Sequence, residues 1–151
     1  MNYDEILTLL ENDEQVLVFL KKLQPTFDKI NNYQNLFQNH QISINSSECK
    51  KALDELTGLY MYLNPIYSVT KAIKQNKEDQ FYTAERKKIE SSLDGKRFIS
   101  APLDRAASAH VGNYRIVRNI LGKYVESCDK AISSCQSILK YMSEEIKLSK
   151  N

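Results

Sequence analysis

Tryptophan is absent, proline occurs three times and glycine four times, and each scarcity removes a class of fold. Sandwiches and barrels need a turn every ten or so residues, and turns draw on glycine and proline. So few breakers in 151 residues, with 26% charged side chains, suit an all-helical protein long enough to bury a core as one domain. No run of eighteen apolar residues occurs, which excludes a membrane-spanning helix. The opening MNYDEILTLL is acidic and periodic, unlike the basic flank and apolar block of a secretory signal. The expected location is therefore the cytoplasm, whether the protein belongs to the cell or to a virus within it. Asn, Lys, Ile and Tyr together make up about a third of the chain, which points to an AT-rich genome such as that of a phage or a low-GC bacterium.

Metal ligands and nucleophiles are scarce too. The two histidines, His40 and His110, stand seventy residues apart, too few to complete a metal site with the cysteines. The cysteines, Cys49, Cys128 and Cys135, are odd in number. Cys128 and Cys135 occupy equivalent heptad positions, about 10.5 Å apart along a helix and beyond the ~7 Å Cα limit of a disulfide. They read as small apolar core residues. No P-loop, dinucleotide fingerprint or nucleophile elbow is present. No cofactor or metal is expected, and the expected protein is not an enzyme.

What the chain does have is a long hydrophobic seam. Steps of four and three from Leu103 land on Ala107, His110, Tyr114, Val117, Leu121, Tyr124, Cys128, Ala131, Cys135, Ile138 and Met142, with His110 the one polar interruption. That alternation marks a helix packed against other helices over many turns. As one helix, residues 101–147 would be roughly 70 Å long. Val111, Val125, Ile132, Leu139 and Ile146 form a further apolar column, and so wide a stripe suits a bundle better than a two-stranded coil. Gly112-Asn113 could bend this helix, but the unbroken register favours continuity. His110, on the seam, reads as a buried, hydrogen-bonded histidine.

The rest of the chain repeats the rhythm. Ile6, Leu7, Leu10, Leu17, Leu20 and Leu23 share a face over residues 4–23, in one helix or two, and Gln24-Pro25 should end that element. A second helix is expected from Pro25 to Asn39, and a tucked-in linker over Gln41 to Asn45. Asn45-Ser46-Ser47-Glu48 has capping-box spacing. After it Leu53, Leu56, Tyr60, Leu63, Tyr67 and Thr70 continue the seam, with a kink expected at Pro65. Phe81 and Tyr82 extend the apolar pattern and read first as core. Asp94-Gly95 is a natural stop, and Ser100-Ala101-Pro102 a natural start. The expected architecture is all-α: a long antiparallel, coiled-coil-like hairpin over 46–147 with its tip at 94–100, and shorter helices from residues 1–45 packed on it as a helical bundle. One domain, 1–151, is expected.

Net charge is only +2, but its distribution is uneven. All five arginines, Arg86, Arg97, Arg105, Arg115 and Arg118, lie within 33 residues. With Lys87, Lys88, Lys96 and Lys123 they face three acids, Glu90, Asp94 and Asp104. A hairpin brings this segment to one end of the molecule. Arginine forks onto phosphate oxygens and stacks on planar groups, and nearby Phe81, Tyr82 and Phe98 supply aromatic faces, the combination that grips single-stranded nucleic acid. The nucleic-acid candidates are Arg86, Lys87, Lys88, Lys96, Arg97, Arg105, Arg115 and Arg118. A solvated helical face, or a dock for an acidic protein partner, are the other readings of the same charges. Tyr114, Val117, Leu121, Tyr124, Cys128, Ile132, Cys135, Ile138, Leu139 and Met142 are the candidates for the seam, serving as core or as a contact between copies.

The arm YRIVRNILGKYVESCDKAISSCQSILKYM, from Tyr114 to Met142, with the aromatic and basic segment Phe81, Tyr82, Arg86, Lys87 and Lys88, resembles phage recombination mediators of the UvsY type. The resemblance spans roughly residues 50–147. It implies a small, non-catalytic helical protein that assembles with copies of itself, binds single-stranded DNA and helps load a recombinase. Residues 1–45 have no counterpart in it, and the basic cluster here centres on the hairpin tip. The function expected is a non-catalytic, oligomeric nucleic-acid-binding protein. The alternative is a virion assembly factor or helical inhibitor that docks its basic end on an acidic protein.

Overall fold

The computed structural model describes residues 1–10, 13–42, 45–92 and 99–148. These form five helices and, among the described residues, no strand. They are α1 (Tyr3–Leu9), α2 (Asp13–Gln38), α3 (Ser46–Ser92), α4 (Ala101–His110) and α5 (Gly112–Leu148). The protein is an all-α helical bundle, as the periodicity predicts.

Helix ends follow local side-chain chemistry. Asn2 caps α1, its Oδ1 accepting from the Glu5 amide at 2.9 Å, and Asp4 and Glu5 lie favourably in the first turn. Asn45 does the same for α3, accepting from the Ser47 amide at 2.8 Å. The C-terminus of α2 closes with the Gln41 amide on the Leu36 carbonyl and the His40 amide on that of Phe37. This Schellman pairing puts His40 at φ 57, the left-handed position glycine usually fills. Ile42 then tucks in, 3% exposed, as the linker reading requires.

Two expectations about breaks fail. Pro25 does not end a helix, because α2 runs through it from Asp13 to Gln38. Proline there removes the bond to the Lys21 carbonyl at a cost near 3 kcal/mol. Both residues are exposed, while Phe19, Leu23, Phe27 and Ile30 keep one buried stripe running past the defect. Their burial, about 1.5–3 kcal/mol each, outweighs the loss. Pro65, by contrast, is expected inside its helix and lies within α3, exposed.

Conversely, the last arm is not one helix. It breaks at Val111, with φ -98 and ψ 23, between α4 and α5. Val111, from the further apolar column, is itself fully buried at the break. Ser100 sits in helical conformation before α4 without a side-chain cap, and Pro102 occupies the first turn. Asp94-Gly95 and most of the expected tip lie outside the described residues.

The chain divides into two compact units. The first comprises Met1–Phe19 and Tyr67–Ile120; its core includes Ile6, Leu10, Phe19, Thr70, Ile73, Leu103 and Val117. Here the late part of α3 meets α4, with the Phe81 and His110 rings stacked at 4.4 Å. The second comprises Leu20–Ile66 and Leu121–Asn151. In it α3 and α5 run antiparallel, Cys49 in the first turn of α3 donating to the Cys135 carbonyl at 3.4 Å. Helix α2 packs with both: Tyr33 donates to Glu55 at 2.6 Å, and Phe27 stacks on Tyr124 at 4.0 Å.

Candidate nucleic-acid interface

The described members of the arginine-rich segment, from Arg86 to Arg118, all fall in the first unit. Three helical pieces carry them. The last turns of α3 hold Arg86, Lys87 and Lys88, α4 holds Arg105, and the first turns of α5 hold Arg115 and Arg118. Lys96, Arg97 and Phe98 lie outside the described residues. Lys123, counted with the cluster in sequence, belongs to the second unit, where it pairs with Glu126.

Each cation has its own surroundings. Arg86 Nε donates to Glu90 at 2.8 Å, and that carboxylate pushes the guanidinium further above its ordinary value. Lys88 Nζ donates to Glu85 at 2.5 Å. Both are exposed pairs within one helix, worth about 0.3–0.5 kcal/mol, so a phosphate can displace either carboxylate at little cost. Lys87 is exposed at the edge of an open depression lined by Asp79, Gln80, Thr83 and Ala84. Arg105 is exposed and has no hydrogen-bond or ion-pair partner among the described residues. Arg115 Nη1 donates to Ser108 at 2.7 Å, tying α5 to α4 across the break at Val111. Arg118 turns its fork on Asn119, at 2.6 and 3.2 Å, and is half-buried.

His110 differs from expectation. It is exposed rather than buried, and its ring lies on Phe81 with 21° between the planes. His110 is the last residue of α4, directly before the break at Val111. Phe81 and Tyr82 are half-buried, part core and part surface. The first unit thus offers a partly exposed aromatic pair as well as cations. Sequence reasoning found Phe81 but assigned His110 to the interior. The available signal was the glycine at 112, just past the end of α4.

No family model, curated protein or solved structure matches the chain.

The seam candidates divide by depth. Val117, Leu121, Cys128 and Cys135 are buried, while Tyr114, Tyr124, Ile132, Ile138, Leu139 and Met142 are half-buried. Tyr124 is held by Phe27 and by Asn31 Nδ2, which donates to its hydroxyl at 3.4 Å. The four buried members are therefore core of the chain itself, while the six half-buried ones keep part of their surface open. All three cysteines are buried and free. Among the described residues no group of three or more His, Cys, Asp or Glu could hold a metal ion, and no helix is long and apolar enough to cross a membrane.

Proposed function

We propose that the protein is a non-catalytic, cytoplasmic nucleic-acid-binding protein that contacts single-stranded DNA through the cations of its first unit. The observation that carries this reading is the gathering of Arg86, Lys87, Lys88, Arg105, Arg115 and Arg118 in one compact unit with the Phe81–His110 stack. Cations read the phosphates and flat rings accept bases, a sequence-tolerant combination. The resemblance to phage recombination mediators extends the proposal: copies would assemble, and each would add one weak site to a multivalent grip on the strand.

The second reading is docking on an acidic protein, which the same exposed cations would also attract.

A fluorescence-anisotropy titration with a single-stranded oligonucleotide separates the two. Binding should weaken steeply with salt, with a logarithmic slope near -0.7 per phosphate contacted. Lys87→Glu with Arg105→Glu should cut affinity at least roughly tenfold for every oligonucleotide sequence and flatten that slope. An absence of binding at low salt would discard the nucleic-acid reading. If the same reversals abolish a protein pull-down while the protein never binds DNA, the docking reading stands instead.

A further inference from the structure

The second unit places two cysteines against each other where the packing ends. Cys49 lies in the first turn of α3, and its thiol donates to the Cys135 carbonyl at 3.4 Å. Cys135 is the last buried residue of α5, since every described residue from 136 to 148 is half-buried or exposed. Both sulfurs are fully shielded in the packed state. Burial, and then the neighbouring Cys49, push the Cys135 thiol up to about 12, so the closed pair is unreactive. Cys49 lies near the start of α3 and Cys135 is the last buried position of α5, so opening at this edge of the packing uncovers the pair, and local opening costs far less than global unfolding.

We propose that Cys49 and Cys135 form a disulfide site that takes a low-molecular-weight disulfide, of which oxidised glutathione is the representative, and staples the start of α3 to α5. The chemistry is two exchanges. In the locally open state one cysteine gives its proton to solvent and its thiolate attacks a sulfur of the reagent. The reagent's S–S bond breaks, a mixed disulfide forms, and one glutathione thiolate leaves. The second cysteine, likewise deprotonated, attacks the protein-side sulfur and expels the other glutathione. Two protein thiols are oxidised, one reagent disulfide is reduced to two thiols, and the two protons end on glutathione.

Cys128 is the internal control. It stands one heptad before Cys135, about 10.5 Å along the axis, out of bonding range of that residue. It is also buried deeper along α5, its thiol pushed up to about 11 by burial. A cross-link that merely follows exposure of any cysteine on unfolding would involve all three; the proposed one involves two.

The full-length protein is incubated with excess oxidised glutathione at mildly alkaline pH, quenched in acid, denatured, alkylated and weighed. The expected product has one alkylated cysteine, Cys128, and a Cys49–Cys135 peptide pair that reduction separates. Cys128→Ala should react at the same rate, and Cys135→Ala should yield no internal cross-link. The oxidised protein should melt higher by something on the order of 10 °C. The rate should stay nearly constant in denaturant below the unfolding transition, as local opening requires. The proposal is overturned by a cross-link through Cys128, by a glutathione adduct as end product, by no reaction, or by a rate that rises only with global unfolding.

Discussion

Tyr33 shows how one side chain ties the bundle to pH. It is 8% exposed and donates to Glu55 at 2.6 Å, joining α2 to α3 within the second unit. Burial first, and the Glu55 hydrogen bond and charge next, raise its phenol well above the ordinary 10.0. The unfolded chain releases this proton near that ordinary value while the folded chain keeps it. The associated stability is therefore complete below about pH 10 and drains away as pH climbs beyond it. Cys128 and Cys135, pushed up to about 11 and about 12 by burial, act in the same direction from their ordinary 9.0 upward. Thermal midpoints measured under reducing conditions should stay level from pH 7 to about 9 and fall above that. Tyr33→Phe should start about 1 kcal/mol less stable at neutral pH and then fall less steeply. A mutant curve parallel to the wild type through the alkaline range would show that the phenol proton contributes nothing.

At the scale of elements, much was legible because a period of 3.6 residues survives local defects. The stripe through Leu56, Leu63 and Thr70 read correctly as a buried face, and all three are fully buried in α3. Breaks were less legible, since a break is decided by competing terms that a pattern does not weigh. Pro25 looked decisive, yet it is exposed while the buried stripe runs on. At Val111 the backbone leaves the helix while the residue keeps its place in the further apolar column, so the pattern outweighed the signal of Gly112 beside it. Of the candidate site, the cations were legible as a charge run; the Phe81–His110 stack was not, because His110 stands at a seam position and reads as interior. Helix α3 also carries a removable weakness. Gly58 is exposed mid-helix, and a Cβ there meets nothing within 4 Å. Gly58→Ala should stabilise the protein by about 0.5–1 kcal/mol, read as a higher denaturation midpoint with an unchanged slope. A destabilised mutant would mean that the outer face of α3 is not open in solution.

For the whole molecule, the question is which surface would join copies if the proposed assembly occurs. Buried seam residues are already committed: Leu121 and Cys128 are fully enclosed by their own chain. The end of α5 is different. Ile138, Leu139 and Met142 are half-buried, while Tyr141, Ile146 and Leu148 are 63%, 54% and 76% exposed. Ile138, Leu139, Met142 and Ile146 continue the apolar stripe past its last buried residue, and Tyr141 and Leu148 flank it. Two heptads are short for a stable coiled coil, so contact through them should be weak and concentration-dependent. Light scattering should show mass rising with protein concentration, and Leu139→Glu with Ile146→Glu should hold the chain at monomer mass with little change in melting temperature. Leu121→Ala should do the reverse, costing about 2–5 kcal/mol of stability without blocking association of the folded fraction. Weak association is also what a multivalent grip on a strand requires, because linked sites multiply affinity without new contacts. The tail double mutant should therefore keep its affinity for an oligonucleotide long enough for one copy and lose the extra affinity for a longer one. Equal losses on both lengths would place the tail in the DNA contact itself, and a protein monomeric at every concentration would remove assembly from the proposal.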